Sequence, residues 1–467
     1  MLNRSFLNIG RRYCSPLFYV ALCVLLSACS QSEKRDHYAA LAQTELETVN
    51  DEKRSVWRAM DTVASASYLS DLIQDATLDA LIKQALIANP SLQKTQLTLQ
   101  ASLWRLKSQQ GDALPSASAG LSAGKTDGSD TSFKANVNIS WEIDVWQKLA
   151  QSEQATAKTL ASNEALFQAS RDALVASVMK SWLAISAKHH AIDIEQKRLA
   201  LLEANEKLVL KRFKNGLGDL EALDESRTSV SQSRANLAEF EENIAIERRH
   251  LQLYLGRHEP LSVTTTAPYP NVDLFFDTLP IQSLQRRPDL KAAYLAIEAA
   301  DLNTSVAYKD MLPSINLSAA LNETASSPSS ALFGSPIWSL LAQITQPLYQ
   351  GERLKAAAEI AKLSTAQAYQ DYRGTLLTAV NEVENTLGQE RVLSQRVHHI
   401  QNAQLSAQTN LTHYEKKYRS GLVTISDLIS VQKIAFDLEA QLDNLIYQQL
   451  ANRVDLGLAL GLGVKPE

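Results

Sequence analysis

Two histidine pairs, His189-His190 and His398-His399, are the residues best able to hold a metal. Adjacent side chains on a helix point apart, whereas a helical metal pair needs i, i+4 spacing. The two pairs also fall at different places in the internal repeat described below, which marks them as surface histidines. Soft-metal chemistry has little to use: beyond residue 28 the chain carries only Met60, Met179, Met311 and Cys29 as sulfur residues. No glycine-rich phosphate loop, GxSxG or HExxH is present. No catalytic group, cofactor or metal is therefore expected. What remains is charge at two similar turns, "KRFKNGLGDLEAL" at 211–223 and "KKYRSGLVTISDL" at 416–428. Each sets cations before a Gly-Leu pair, Gly216-Leu217 and Gly421-Leu422, and acids after it. Cations suit the end of one helix, and the two glycines allow the left-handed residue that closes it.

Cys29 sets the compartment. Arg4, Arg11 and Arg12 precede the apolar stretch "PLFYVALCVLL" at 16–26, which is too short to span a bilayer. The stretch ends in "LSAC", small residues before Cys29, a pattern similar to the bacterial lipobox. Residues 1–28 are expected to leave as a signal peptide, with Cys29 lipidated as the new first residue. Ser30 is permissive for the outer membrane, where Asp would favour retention at the inner one. Cys14 and Cys23 leave with the signal, so no thiol remains for a disulfide. The mature chain keeps 43 basic and 51 acidic residues, a net charge of −8, which argues against nucleic acid as a partner. No later stretch has ~20 consecutive apolar residues. Any membrane crossing must use strands.

The two turns belong to a longer repeat. "NPSL" at 89–92 meets "RPDL" at 287–290, and "LPS" at 114–116 meets "LPS" at 312–314; beyond these, Gly216 pairs with Gly421 and Gly256 with Gly461. The later pairs are seven residues further apart, and the extra residues fit best in "NETASSPSSALFGSP". The expected organisation is a signal peptide (1–28), an N-terminal segment (29–74), a first repeat (75–256), a connector (257–279), a second repeat (280–463) and a short tail (464–467). Each repeat reads helix, strand, strand, long helix, turn, helix, so the fold is mainly α with a small β part.

The first helix is expected from about Asp75 to Asp112. After it, Phe133, Ala135, Val137, Ile139, Trp141, Ile143 and Val145 alternate with polar residues, a period of two over thirteen positions. Ala117, Ala119, Leu121 and Ala123 alternate in the partner strand. In the second repeat Ile315, Leu317, Ala319 and Leu321, then Trp338, Leu340, Ala342 and Ile344, do the same. Four strands neither close a membrane barrel, which needs at least about eight, nor build a sandwich. In lipid, closure would have to come from other copies of the chain. Gln147–Lys214 then runs without Pro or Gly, with Leu174, Val178, Ile185, Ile192, Leu199, Leu202, Val209 and Phe213 on a three-and-four spacing. At ~1.5 Å per residue that is a rod of roughly 100 Å. A second such rod covers about Glu352–Arg419, and the two turns sit at the far ends of the rods.

"SWEIDVWQKL" (140–149), "QPLYQGERLKA" (346–356) and "RRPDL" (286–290) resemble the strand-to-helix junctions and second-repeat start of TolC-type outer-membrane efflux channels, lipidated branch. With the lipobox and the duplication, the resemblance covers nearly the whole mature chain. It implies a homotrimer whose twelve strands close a barrel in the outer membrane. The helices would continue as a periplasmic tunnel meeting an adaptor protein and an inner-membrane pump. It also implies an acidic constriction at the helix tips, patterned as Tyr, Gly three residues on, and Asp six and nine residues past the Gly. Tyr418, Gly421 and Asp427 match, Ser430 stands in place of the second Asp, and Val423 stands where some members have Arg. One acidic ring is expected, from Asp427, with Asp219, Glu221, Asp224 and Glu225 as further charge nearby. The tip turns at Gly216-Leu217 and Gly421-Leu422 would meet the adaptor.

Two functions remain open on the residues: a passive export duct energised by its pump, or a lipid-anchored periplasmic coiled-coil protein with structural or adaptor duties. On either reading, Cys29→Ser should abolish acylation. Labelled palmitate entering the variant would place the anchor elsewhere.

Overall fold

The structure, a computed structural model, describes residues 37–57, 68–128, 130–260, 269–270, 272 and 283–465. The expected signal segment, Cys29 and most of the connector lie outside the described residues. An N-terminal helix α1 (Tyr38–Trp57) and a short 3-10 turn (Leu69–Leu72) precede the first repeat: α2 (Ala76–Ala88), α3 (Pro90–Asp112), β1 (Ser116–Gly124), β2 (Ser132–Glu142), α4 (Lys148–Lys214) and α5 (Leu220–Tyr254). The second comprises α6 (Ser283–Arg286), α7 (Pro288–Lys309), β3 (Ser314–Ala325), a small α8 (Pro328–Phe333), β4 (Ile337–Thr345), α9 (Arg353–Arg419) and α10 (Ile425–Ala459). Both rods are 67 residues long and both return helices are 35. Each rod is thus roughly 100 Å long.

The expected single helix from Asp75 to Asp112 is two helices, because Pro90 excludes helical geometry at Asn89. Asn89 turns the break into a cap: its Oδ1 accepts from Leu92 N at 3.0 Å, while its Nδ2 donates to Tyr254 O at 2.9 Å. The second repeat solves the same corner with a cation. Arg287, before Pro288, donates to Ala459 O at 3.1 Å, the repeat equivalent of Tyr254. Its buried guanidinium also pairs with Asp289 (2.7 Å) and Glu382 (2.8 Å). The "RRPDL" motif is this clamp between the start of α7 and the end of α10.

The sheet runs in the order β1-β2-β3-β4, all antiparallel, so β2 and β3 join the two repeats. Its register aligns the alternation. Ala119, Val137, Leu321 and Trp338 lie in one cross-strand row, and Ala117, Ile139, Ala319 and Leu340 in the next. One face is therefore apolar except for Glu323 near its far end. Rows such as Ser118, Asn138, Ala320 and Ser339 make the other face polar. β2 ends at Glu142 rather than Val145 because Asp144 is already capping α4, accepting from Lys148 N (2.6 Å) and Ala150 N (2.8 Å).

Two main cores sit where helices meet. One gathers Val178, Met179, Trp182, Leu183 and Ile185 of α4 with α2, α5 and the end of α10; the other joins α7, α9 and α1 through Tyr372, Leu376, Val383 and Ile297. Gly256 ends α5 at φ +62° beside the α2–α3 corner, and a Cβ there would stand 2.2 Å from Ala88 O. Gly256→Ala should therefore lower stability by at least ~1 kcal/mol, from both strained backbone and collision. Thermal unfolding followed by circular dichroism measures it, and an unchanged midpoint would contradict the geometry.

Candidate functional site

The candidate site is the tip, where α4 turns into α5 and α9 into α10. Both rods end in a Schellman turn: Leu217 N donates to Arg212 O and Leu422 N to Lys417 O, each at 2.9 Å. Gly216 (φ +69°) and Gly421 (φ +72°) hold the left-handed residue. Neither has any atom within 4 Å of where a Cβ would stand, so both glycines serve the turn rather than a tight contact. Leu217 and Leu422 are 68 % and 73 % exposed, unusual for leucines that a C-cap motif would normally pack inward.

The helices leaving the tips start differently. α5 is capped by Asp219, whose Oδ1 accepts from Ala222 N at 2.8 Å. In α10 the cap is Thr424, which accepts from Asp427 N at 3.2 Å, and Asp427 returns the bond by accepting from Thr424 N (2.9 Å) and Thr424 Oγ1 (2.6 Å). This is a capping box. The Thr424 hydroxyl and then its amide hold the Asp427 carboxyl below the usual carboxylate range. Asp427 and Ser430 are both exposed, on the side of α10 away from buried Leu428 and Ile429. Tyr418 is elsewhere: half-buried, it packs on a small cluster of Leu411, Leu428, Val431 and Ala435.

The two tips are also tied together. Arg212 donates to the Tyr418 hydroxyl at 3.3 Å, and Ser426 donates to Glu225. Further up, α4 and α10 are joined by Asn205–Gln432 (2.7 Å), Arg198–Asp437 (2.8 Å), His190–Asp443 (2.9 Å) and Lys180–Asp455 (2.7 Å). Sequence reasoning missed Arg212 and this polar seam, since nothing in periodicity couples residues more than two hundred positions apart. It also misplaced one histidine pair. His189 and His190 are half-buried, His189 facing Arg248 at 3.1 Å and His190 stacking edge-on to Tyr269 at 4.4 Å. Burial and the Arg248 charge lower the His189 pKa, and burial raises that of Asp443. His398 and His399 are exposed. Among the described residues no group of three or more His, Cys, Asp or Glu is spaced for a metal.

Removing the α10 cap tests the tip geometry. Thr424→Ala should speed hydrogen exchange at Asp427 and Leu428 about fivefold, the factor that losing a typical N-cap implies, and raise the Asp427 pKa toward its ordinary value. Unchanged exchange would mean that Thr424 does not hold the helix start.

The described residues contain no helix long and apolar enough to cross a membrane. The sheet is the membrane candidate, and known proteins share its setting. The chain resembles the cation efflux system protein CusC of Escherichia coli K12, at 24 % identity over 96 % of this chain and 100 % of that one. It also resembles the probable outer membrane lipoprotein SilC of Salmonella typhimurium, at 26 % over 83 % and 86 %. Among solved structures, the CmeC outer membrane channel of Campylobacter jejuni superposes with a TM-score of 0.80 at 19 % identity, over 87 % of this chain and 91 % of that one. VceC of Vibrio cholerae gives 0.77 at 22 %, over 86 % and 99 %. The model of the outer membrane efflux protein family matches residues 81–257 and 279–462, which takes in both hairpins, both rods and both tips, and the chain belongs to that family.

Proposed function

We propose that three copies of this efflux protein close their sheets into a twelve-stranded barrel in the outer membrane and line a continuous tunnel with α4, α5, α9 and α10. The observation that carries this reading is the sheet itself. Its apolar face has nothing packed on most of it: Val137, Ile139, Trp141, Leu321, Trp338, Leu340 and Ile344 are 39–75 % exposed. Its edge strands β1 and β4 have no outer partner among the described residues. A soluble hairpin domain would bury that face, whereas a barrel shared between copies turns it to lipid and pairs the edges. Unpartnered helix faces agree, with Leu97, Leu103 and Trp104 exposed on α3 and Ile360, Leu363 and Leu377 on α9.

On this reading the chain is two modules, 75–256 and 280–463, joined by a connector and anchored by lipid at Cys29. The duct is passive and takes its energy from an inner-membrane pump through a periplasmic adaptor. The exposed Leu217 and Leu422, each beside its glycine, are the adaptor contacts. Three Asp427 side chains form the acidic ring of the closed tip, with Ser430 one turn on adding hydroxyls in place of a second ring. The cargo follows the pump: relatives are named for the efflux of cations, toluene and antibiotics and for the export of pyoverdine.

Conductance across a planar bilayer tests the ring. The wild-type channel should prefer cations and be blocked by trivalent cations from the tip side, and Asp427→Asn should weaken that block. Acidification should relieve the block as the facing carboxylates protonate, and Thr424→Ala should move that relief to higher pH, since it removes the bonds that hold the Asp427 pKa down within each chain. Block unchanged in Asp427→Asn would put the constriction on other side chains.

A further inference from the structure

The seven extra residues of the second repeat build a feature that the first repeat lacks. The β1–β2 loop is a short charged turn with Lys125, Asp127 and Asp130. The β3–β4 connection holds α8, capped by Ser327 and started by Pro328. From Thr324 to Gly351 the chain carries no charged side chain at all.

α8 packs against β3 and β2. Burial shows which face it covers. At the end of the sheet far from the helices, Phe133, Ala135, Glu323 and Ala325 are half-buried, while Lys134, Asn136, Asn322 and Thr324 of the opposite face are exposed. Phe133 pairs with Ala325 and Ala135 with Glu323, so the covered positions are the last two rows of the apolar face. Ala331 points inward and is 3 % exposed. Leu332 (54 %) and Phe333 (87 %) point away from the sheet, followed by Ile337 and Trp338 at 74 % and 75 %.

We propose that α8 is a membrane-surface foot whose Leu332 and Phe333 dip into the hydrocarbon of the outer leaflet at the rim of the barrel. The proposal rests on the barrel reading above. Continuity selects lipid as the occupant: the foot lies on the same face as the apolar rows of Val137 and Ile139 and directly extends them. Length agrees. The exposed apolar positions run from Trp338 to Ile344 on β4, about 20 Å of strand at ~3.3 Å per residue, and less in height once tilted. Outer-membrane barrels carry an apolar band about 25 Å tall with aromatic girdles at its margins. α8 supplies the shortfall at the outer margin, with Phe333 and Trp338 as its aromatics. The foot itself carries no charge, which fits burial beneath a headgroup layer where an ion would be costly, and the one carboxylate of the covered rows, Glu323, lies against the end of α8 at Gly334.

All three cysteines lie within the first 29 residues, so a single introduced cysteine can be labelled with an environment-sensitive fluorophore. Phe333→Cys, Leu340→Cys and Ser327→Cys would each be labelled in the full-length channel, reconstituted in vesicles containing doxyl-labelled lipid. Position 340 should be blue-shifted and quenched by deeply placed doxyl groups, position 333 by shallow ones, and position 327 should report water. Water-like emission at 333 alongside lipid quenching at 340 would overturn the foot and leave the barrel standing. Shielding at 333 from both water and lipid would also overturn it, by showing a protein neighbour as the occupant. Failure at 340 as well would overturn the barrel reading and the foot with it.

Discussion

A backbone N–H or C=O group in hydrocarbon has no water to bond, so it must find its partner in protein. That constraint governs this chain because, among the described residues, one copy brings four strands and leaves both edge strands open. On the proposed reading the edges are paired by neighbours, and oligomerisation becomes a condition of entering the membrane rather than a later refinement. The same condition shapes what lies below. Strands that must meet copies of themselves around a ring need their helices delivered at fixed angles. At both strand-to-helix elbows the chain holds a non-glycine residue in the left-handed region, Gln147 (φ 57°) and Glu352 (φ 61°), at equivalent repeat positions. Such a residue is uncommon and persists only where its surroundings fix it. The first elbow is fixed by Asp144 at the start of α4 and by Trp146 donating to Pro313 O at 2.6 Å.

The shaft below the elbows divides its forces by location. Within each repeat, helices meet through buried apolar side chains, which are non-directional and tolerate no water. Between the repeats, α4 and α10 share the apolar core at Leu450 and Val454 and are otherwise joined by a ladder of ion pairs and amide contacts. The exposed pair Lys180–Asp455 contributes about 0–1 kcal/mol, whereas Asn205–Gln432 is buried and would leave two amides unsatisfied if it broke. Toward the tip the hairpins are therefore held to each other by directional bonds. On the proposed reading this distribution suits a duct that opens at one end, since polar partners can be re-formed with water where apolar packing cannot.

Much of this was legible in the residues. Alternation over β2 and β3 identified the apolar face because its period is set by the pleat and cannot be imitated by a helix. The length of α4 followed from the absence of Pro and Gly, and that of α9, which contains Gly374 and Gly388, from the repeat and its apolar stripe. Legibility failed where one residue answers to a distant one. Asn89 looked like part of a continuous helix, yet it breaks the helix and bonds to Tyr254, 165 positions away. The end of β2 was misplaced by three residues because Asp144 fits the strand alternation but is used as a cap. His190 looked like surface because its partners Asp443 and Tyr269 come from the other repeat and the connector. The insertion near residue 330 could be located from the repeat, but only folding shows that it becomes a helix laid on the apolar face of the sheet.

On the proposed reading, the tips show how duplication permits a gate. In the first copy the acid of the opening turn is the cap itself, Asp219, and position 222 is alanine. In the second the cap is Thr424 and the acid has moved to Asp427, three residues into the helix. Either arrangement places a carboxylate near the positive end of a helix, so folding alone is served by both. Moving the acid to the third position sets it on the exposed side of α10 with Ser430, and the reciprocal bond keeps it ionised. Tyr418, whose counterpart is the exposed Phe213, meanwhile turns into its own hairpin and accepts a bond from Arg212 of the other. The second hairpin thus carries the proposed ring charge and a latch to its neighbour at once. On the proposed reading, a shift of the second hairpin away from the first would break the latch and displace the ring together, coupling opening of the seam to opening of the tip.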